Sequence, residues 1–176
     1  MLQHVVTDYF RLVRYGYATG NLLGFLREVS APDVMFNTEY SPEAIDQHWC
    51  LSQWFGNVEV EVESFQKSSC HSLVVATITK MTITRETLRN VFPHLRTTDN
   101  SAHNCKLVEK LLNQRLVMRG STCFDWDRSS CCLTRVLTQN DMLTPMLNLL
   151  GNLEDVARVF NKALISPAFE WRMTPL

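Results

Sequence analysis

The segment Val58-Glu59-Val60-Glu61-Val62-Glu63 alternates an apolar with an acidic residue over six consecutive positions. Successive side chains of a β-strand point to opposite faces, so this pattern predicts a strand with one buried face and one wet, acidic face. Phe65 breaks the alternation, and an extra residue near Ser64 would restore it. A bulge of that kind bends a strand, so we expect a strongly curved sheet.

The residues that follow continue this sheet. The segment from Ser72 to Ile83 is rich in β-branched residues, which predicts a second long strand. We expect it to pair antiparallel with the first through a turn at Ser68-Ser69. Residues 107–112 fit either a short helix or a strand. Further strands are predicted at 34–36, 115–119, 123–127 and 131–139, with Gly120-Ser121 and Arg128-Ser129-Ser130 as the joints between the last three.

Helices are predicted before the sheet. Apolar residues recur at three- and four-residue steps from Val6 to Tyr17, which predicts a first helix that ends at Gly16 and Gly20. Asn21 can cap a second helix, whose apolar stripe includes Leu22 and Leu26. The remaining apolar residues of that stripe are Phe25 and Val29, and residues 30–33 stop the helix.

Two more helices are predicted within the α+β region. Ser41-Pro42-Glu43 combines a capping hydroxyl, a proline suited to the first helical position and an early acid, so a third helix should run to about Phe55. Thr84 can cap a helix that ends at Pro93, and residues 94–104 read as a polar, mobile loop. The segment after Asp141 predicts a helical tail.

Length and apolar content favour one core. A chain of 176 residues with 45% apolar residues lies within the usual size range of single domains. We therefore expect an α+β domain at residues 1–141, built as a cone-like curved antiparallel β-sheet packed with N-terminal helices. Residues 142–176 are expected to form a C-terminal helical extension on the same core.

Charge and cysteine usage exclude several classes of function. The 17 basic and 18 acidic side chains nearly balance, so the chain lacks the cationic excess that neutralises nucleic-acid phosphates. Neither a secretory leader nor eighteen consecutive apolar residues occur, which argues against secretion and membrane spanning. The six cysteines have no disulfide-like spacing and are expected to be free thiols. We therefore expect an intracellular protein of the nucleus or cytoplasm, with no direct nucleic-acid or membrane partner.

Short pieces of sequence carry a resemblance across residues 5–141. They are the tyrosine-containing first helix, Gly20-Asn21-Leu22, Phe25-Leu26, Ala31-Pro32-Asp33-Val34-Met35-Phe36, Pro42-Glu43-Ala44-Ile45 and Phe124-Asp125-Trp126-Asp127. In this order they resemble the nuclear-transport-factor-2-like superfamily, which includes SnoaL-like proteins and ketosteroid isomerases. The resemblance implies a cystatin-like curved sheet around an apolar pocket.

A narrower resemblance lies in the tail. Its residues are 141–145, with the sequence DMLTP, and 150–160, with the sequence LGNLEDVARVF, continuing to Ile165-Ser166-Pro167. They resemble the tail that follows such a domain in oomycete proteins related to basic leucine-zipper (bZIP) transcription factors. The DNA-binding half of that family is a basic helix followed by leucine heptads. This chain has neither, so no DNA contact is assigned to any residue.

The isomerases of the superfamily use a carboxylate base and a hydroxyl donor in an apolar cavity. When the chain is registered on Gly20 and Asp33, the hydroxyl position falls on Val13 and the base position on Thr38. Neither side chain transfers protons usefully, so no catalytic residue is predicted. The alternative is that neighbouring groups substitute, with Tyr9, Glu39 and Asp125 as the candidates.

Two further clusters were weighed as sites. Asp125 and Asp127 share one strand face, which would set two carboxylates side by side with one pKa raised, but alternation of aromatic and acidic residues is more typical of a half-buried strand end. His94, His103 and Cys105, with Cys123 as a fourth ligand, lack the paired short spacings of structural zinc sites. We therefore predict no metal site and no cofactor.

The predicted pocket is apolar. Its lining is assigned to Tyr9, Val13, Phe36, Trp49, Phe124 and Trp126. Concave sites of this kind bind small apolar ligands, and the exposed sheet face is suited to a symmetric homodimer. We infer a non-catalytic ligand-binding or dimerisation module linked to transcriptional regulation. The alternative is a small SnoaL-like or ketosteroid-isomerase-like enzyme that acts on an apolar small molecule by acid/base chemistry.

Overall fold

The computed structural model describes residues 1–17, 21–96 and 102–172. Its helices are α1 Leu2–Val13, α2 Asn21–Val29, α3 Pro42–Cys50, α4 Arg85–Asn90, α5 Ala102–Leu111, α6 Leu143–Leu150 and α7 Leu153–Phe160. Its strands are β1 Ser30–Phe36, β2 Glu39–Tyr40, β3 Gly56–Ser69, β4 Ser72–Thr82, β5 Arg115–Asp127 and β6 Cys132–Asp141. Short 3-10 helices span Leu51–Trp54 and Pro93–Arg96.

The strands form one sheet in the order β2, β1, β6, β5, β4, β3. Strands β3 to β6 follow one another as antiparallel neighbours. The predicted α+β fold with a curved sheet is confirmed. The sheet is mixed, because β1 runs parallel to β6 and antiparallel to β2. We call the face that packs against α1 and α3 the inner face, and the opposite one the outer face.

The alternating segment behaves as its pattern predicts. Val58 and Val60 are buried, and the three glutamates are exposed. The register between β3 and β4 shifts between Val62 and Ser64, which confirms the predicted bulge. The glutamates form cross-strand ion pairs that leave the outer face close to neutral: Glu59 with Arg115 at 3.6 Å, Glu61 with Lys80 at 3.0 Å and Glu63 with Arg119 at 3.0 Å.

Two predictions about the strands need correction. The first hairpin turns at Cys70-His71, two residues later than predicted, because β3 extends to Ser69. Residues 115–127 form one continuous strand, so the predicted joint at Gly120-Ser121 is wrong. Gly120 is needed there for another reason: a Cβ atom at this position would collide with the Asn140 side chain on the neighbouring strand.

The helix ends agree with the capping signals in the sequence. The Ser41 hydroxyl accepts a hydrogen bond from the Ala44 amide at the start of α3, and Thr84 forms a capping box with Thr87 at the start of α4. Gly16 adopts a φ of 86° after α1, a conformation that suits glycine. Tyr17 therefore lies beyond the helix, and Gly20 lies outside the described residues.

The predicted loop at residues 94–104 is wrong at both of its described ends. Pro93–Arg96 is a 3-10 helix, and α5 begins at Ala102. Residues 97–101 lie outside the described ranges. The segment that fitted either a helix or a strand, residues 107–112, is the last part of α5, where Leu107 and Leu111 are buried one turn apart.

One hydrophobic cluster contains buried residues from α1 to α3, from the inner face of the sheet and from the tail. The tail contributes Met146, Val156, Phe160 and Phe169. Among the described residues, no helix combines the length and the apolar character that crossing a membrane requires.

Candidate functional site

The inner face of the sheet carries an apolar row near the C-terminal end of β5. Leu73 pairs with Phe124, Phe124 with Val136, and Val136 with Phe36. All four side chains are buried. They lie side by side across four strands, so this part of the inner face is continuous apolar core.

Aromatic rings from two helices cover this row. The Tyr9 ring lies edge-on to Phe10 and Phe124, with centroid distances of 5.1 and 5.2 Å, and Phe10 lies 5.9 Å from Phe124. Trp49 Nε1 donates a hydrogen bond of 2.6 Å to the Tyr9 hydroxyl. Burial raises the pKa of Tyr9 far above its ordinary value, so the phenol is neutral and acts as the acceptor of the indole N–H.

A polar patch follows on the same face, towards the other end of the strands. Val75 pairs with Thr122 and Thr122 with Thr138, while Thr77 pairs with Gly120 and Gly120 with Asn140. We call the side chains of Thr77, Thr79, Thr122, Thr138 and Asn140 the polar band. Their neighbours in sequence point to the outer face, so the band is set by strand alternation alone.

The polar band is incompletely paired. The hydroxyls of Thr122 and Thr138 hydrogen-bond to each other at 2.9 Å. Those of Thr77 and Thr79 make no hydrogen bond to another residue within the described ranges, and both residues are largely buried. A hydroxyl with unused hydrogen-bonding capacity in such surroundings marks a place where an additional polar partner would be stabilising.

A small inner cavity lies against the polar band, with a volume of about 20 Å³. It has room for about one water molecule. The helical side of its lining consists of Phe10, His48, Trp49 and Ser52, and the C-terminal segment contributes Phe169. The sheet contributes the polar band and the apolar residues Val58, Val60, Met81 and Met118. The lining contains no acidic side chain, no lysine and no arginine.

His48 is the titratable group of this lining. Its position on α3 places it one turn after Ala44 and Ile45, on the buried side of the helix. Its ring packs against Phe36 at 5.2 Å, Trp49 at 5.8 Å and Phe169 at 6.2 Å. Burial among these rings lowers the pKa of His48 to about 4, so the imidazole is neutral at pH 7.

The segment Ser166–Arg172, which we call the C-terminal loop, covers the cavity. The Phe169 amide donates to Ser166 O and the Ser166 amide to Glu170 O, each at 2.9 Å, which closes a tight turn. Phe169 is buried at its tip, with its ring 5.7 Å from Phe55. Trp171 Nε1 donates to Gln47 O at 2.9 Å, and Asn37 Nδ2 donates to Glu170 Oε1 at 3.1 Å.

An outer groove of about 430 Å³ lies on the other side of this loop. Its lining includes Phe36, Thr38, Gln47 and Cys50, and the loop contributes Glu170 and Trp171. His48 lines both the groove and the inner cavity. The imidazole of His48 and the C-terminal loop therefore form the partition between the two spaces.

The residues predicted to line a pocket fall into four places. Tyr9, Val13 and Phe124 lie in the packed apolar core and line neither space. Trp49 lines the inner cavity and Phe36 the outer groove. Trp126 lies at the far end of the sheet, in a surface depression beside Met1 and Leu2.

The candidate acid/base groups do not meet in one place. Val13 is buried, and Thr38 and Glu39 line the outer groove. Asp125 accepts a 2.6 Å hydrogen bond from Arg135 on the outer face of the sheet. On α3, Asp46 Oδ2 accepts a 3.2 Å hydrogen bond from the Tyr17 hydroxyl, and neither residue lines the inner cavity.

The other weighed clusters have local partners. Asp127 accepts hydrogen bonds from Ser129 and Ser130 in the β5–β6 turn, and these bonds lower the pKa of Asp127 to about 2. A raised pKa is thereby contradicted for this carboxyl. His103 pairs with Asp155 at 2.7 Å, whereas Cys123 lies on the outer face of β5, so these two metal-site candidates are held by different elements.

The sequence analysis did not predict the polar band, the position of His48 between the two spaces, or the burial of Phe169 against the inner cavity. The band was detectable in part, because Thr77 and Thr79 occupy alternate positions of a strand whose other residues on that face are apolar. His48 is a single histidine within a helix, a pattern that does not by itself indicate a site. Phe169 lies outside any periodic pattern, so no local signal marks it.

Comparison with known proteins identifies one family match. Residues 4–54 match the family described as the BZIP transcription factor 1 C-terminal domain. The match confirms the narrower resemblance, although it falls on α1 to the 3-10 helix after α3 and not on the tail residues that suggested it. No curated protein sequence matches the chain.

Solved structures match over most of the chain. A SnoaL-like polyketide cyclase from Agrobacterium tumefaciens is 12% identical with a TM-score of 0.58, covering 86% of this chain and 98% of its own. A protein from Jannaschia sp. CCS1 assigned to the SnoaL-like polyketide cyclases is 17% identical with a TM-score of 0.56, over 85% and 94% of the two chains. IdmH of Streptomyces antibioticus, assigned as a polyketide cyclase, is 14% identical with a TM-score of 0.54, over 85% and 98%. These likenesses establish the SnoaL-like, nuclear-transport-factor-2-like fold.

Proposed function

We propose that this chain is a non-catalytic binding module whose inner cavity, enlarged by movement of the side chains around it, takes a small uncharged molecule. The observation that carries the proposal is the polar band. Thr77 and Thr79 present hydroxyls that make no hydrogen bond to another described residue, and they lie beside the aromatic and aliphatic side chains of the lining. A few polar groups within an apolar lining are the usual composition of a small-molecule site.

The chemistry of the lining selects an uncharged ligand. No acidic side chain, lysine or arginine lines the cavity, and His48 is neutral at pH 7. An ionic group buried there would lose its hydration without gaining a counterion, which costs more than hydrogen bonds to hydroxyls return. The matching ligand has an aromatic or aliphatic body and one hydroxyl, carbonyl or N–H group.

The same lining argues against acid/base catalysis. Proton abstraction requires a base within hydrogen-bond reach of the substrate. Among the residues that line the cavity, the titratable group is a neutral histidine with a lowered pKa, which is a weak base. The structural likeness to polyketide cyclases therefore concerns the fold, and we do not extend their enzymatic role to this site.

The setting we propose is a regulatory protein related to bZIP transcription factors. The family match at residues 4–54 supports this setting. The matched residues include His48, Trp49 and Ser52, which line the inner cavity. The six free cysteines are compatible with an intracellular protein of the nucleus or cytoplasm.

Binding of neutral aromatic probes tests the ligand proposal. Phenol and indole each combine one ring with one hydrogen-bond donor, and both can be titrated by calorimetry at pH 7.5. We expect binding by the wild-type protein, and weaker binding by Thr77→Val/Thr79→Val. The matched control is Thr82→Val, a threonine of the same strand on the outer face. Equal binding by all three proteins would place the probe elsewhere and overturn the proposal.

A second role, self-association, is favoured by the outer face. Val74, Cys123 and Leu137 are direct neighbours across β4, β5 and β6 on that face, and each is partly exposed. The ion pairs of Glu59, Glu61 and Glu63 keep the adjoining surface nearly neutral, so two copies would meet without net repulsion. We propose that a second copy of this chain covers Val74, Cys123 and Leu137 on the outer face.

Light scattering after size-exclusion chromatography tests self-association. We expect a dimer for the wild type and a monomer for Leu137→Glu, because burying an unpaired carboxylate at the centre of an apolar contact costs several kcal/mol of association free energy, on the order of the desolvation penalty of an ion. Gln139→Glu is the matched control, since Gln139 is an exposed residue two positions further along β6. A wild-type monomer at 100 μM (about tenfold above a Kd of 10 μM) would overturn the proposed dimer.

A further inference from the structure

We infer that the C-terminal loop is an internal competitor for the ligand, so that ligand occupancy and loop release are coupled. This inference rests on the proposed function, because it concerns the same inner cavity. It identifies Phe169 as the group that fills the binding site when no ligand is present. It also provides the chain with a segment whose exposure would report the ligand to a partner.

The position of Phe169 supports the inference. Its ring contacts His48 and Phe55 and lines the cavity beside the polar band. The Phe169 side chain thus lies where the aromatic body of a ligand would lie. It offers no hydrogen-bonding group to the hydroxyls of Thr77 and Thr79. An aromatic ligand with one polar group would replace the ring and also pair the band.

The backbone of Phe169 is strained in the closed loop. Its φ is 57°, in the left-handed region that favours glycine. A large aromatic residue is held there because its ring is buried and because the flanking residues are tied to the body of the protein. Strained backbone of this kind is typical of segments with two functional states.

Removal of Phe169 would produce a space of ligand size. The inner cavity alone, at about 20 Å³, is far smaller than a small-molecule site. The outer groove of about 430 Å³ lies directly beyond His48 and the loop. Loop release would join the two spaces into one pocket within the usual range of about 300 to 1,000 Å³ for ligand sites.

Besides the hydrogen bonds of Glu170 with Asn37 and of Trp171 with Gln47, the loop is anchored by Arg172. The Arg172 guanidinium donates to Phe160 O and Asn161 O, and the Arg172 amide donates to Leu164 O at 2.9 Å. Arg172 is exposed and lines neither the cavity nor the groove. A change at this residue therefore loosens the loop without altering the binding site.

Titration of indole into matched variants tests the coupling. Phe169→Ala removes the competing ring, and Arg172→Ala weakens the anchor. Lys162→Ala is the control, because it removes a nearby exposed positive charge. If the ligand binds only the open form, its apparent affinity is reduced in proportion to the fraction of protein that is open. Both test variants raise this fraction, so each should bind indole at least about tenfold more tightly than the wild type. Lys162→Ala should bind as the wild type does.

Proteolysis provides the reciprocal measurement. Trypsin cuts after Arg172 only when its guanidinium leaves the Phe160 and Asn161 carbonyls, because this side chain must enter the protease. If ligand and loop compete, saturating indole should raise the cleavage rate of the wild type at this bond several-fold. Melting curves of each variant establish that it is folded, and Arg172→Ala carries the test should Phe169→Ala not fold.

The outcomes separate the two proposals. Equal indole affinities in the wild type, Phe169→Ala and Arg172→Ala, with cleavage unchanged by indole, would overturn the coupling and leave the ligand site intact. Failure of all folded variants to bind indole or phenol would overturn the ligand site and the coupling with it.

Discussion

Two neighbouring parts of one sheet face differ in chemistry. The row formed by Leu73, Phe124, Val136 and Phe36 is apolar and buried, and aromatic rings cover it. Four residues earlier in β5, the row of Thr77, Gly120 and Asn140 is polar and borders a cavity. The same strands and the same alternation support both rows.

The two rows are expected to contribute unequally to the free energy of unfolding. An apolar row that excludes water contributes burial and close packing. A polar row beside a cavity contributes less, because its hydroxyls are desolvated and its packing is interrupted. We therefore expect the apolar row to stabilise the fold and the polar row to be available for binding, and four measurements test this division.

The largest effect is expected in the apolar row. Phe124→Ala removes a fully buried ring that contacts Tyr9 and Phe10, and should lower the free energy of unfolding by about 3 to 5 kcal/mol. Thr122→Ala, two residues away on the same face, should cost about 1 to 2 kcal/mol through the lost bond to Thr138. Urea denaturation measures both. Equal losses would contradict the division.

The second effect is a pH dependence at the border of the cavity. The folded protein keeps the pKa of His48 at about 4, whereas the unfolded chain protonates this residue below about pH 6.5. The unfolded state therefore binds more protons in this window, and stability is lost as the pH falls from about 6.5 to 4. The loss should be on the order of 3 kcal/mol.

Denaturation curves of His48→Gln test that assignment. The variant should show a flatter pH profile between pH 6.5 and 4 than the wild type. Burial also lowers the pKa of His94, so His94→Gln is measured in parallel to remove its smaller share of the same window. A wild-type profile that survives the His48 substitution would disprove the role of this histidine.

A third, smaller effect concerns the hydrogen bond that links the two regions. Tyr9→Phe leaves Trp49 Nε1 buried without its acceptor, which should cost about 1 to 3 kcal/mol. Tyr40→Phe removes a hydroxyl from an exposed tyrosine and should cost nothing measurable. Thermal unfolding compares the pair. No loss in Tyr9→Phe would mean that water replaces the acceptor and that the region is wetter than described.

The smallest effect is expected in the polar band. Thr79→Val replaces a hydroxyl that lacks a partner within the described residues by a methyl group of similar shape. We expect the free energy of unfolding to change by less than about 1 kcal/mol, or to rise. Thr138→Val, which breaks a formed hydrogen bond, is the comparison in the same urea titration. A large loss in Thr79→Val would show that its hydroxyl is structurally required.

The sequence predicted the sheet better than the site. Alternation at Val58 to Glu63 and the bulge near Ser64 follow from local geometry, so both were readable. The parallel contact of β1 with β6 was not, because it joins residues about a hundred positions apart and depends on the packing of the helices between them. Gly120 was predicted to lie in a turn. Its actual requirement is the lack of space beside Asn140 on the neighbouring strand, which the local sequence does not show.

The site was less predictable for the same reason. Trp49 was expected to line the pocket and lies at the inner cavity, but Tyr9 and Phe124 are buried against each other and fill the volume that they were expected to line. Sequence patterns tell which face a residue occupies, but not whether opposing side chains meet. Phe169 closes the cavity from more than a hundred residues away from His48, a contact that no periodicity records.

The pairing of β1 with β6 sets an order of events during folding. Strands β3 and β4 form one hairpin and β5 and β6 another, and each can form as soon as its own residues meet, whereas β1 must wait for a strand near the other end of the chain. Closing a loop of that length is entropically costly and slows folding. Pulse-labelled hydrogen exchange should therefore protect the amides of β4 and β5 before those of β1, so that the strand beside the outer groove joins the sheet after the strands that line the inner cavity.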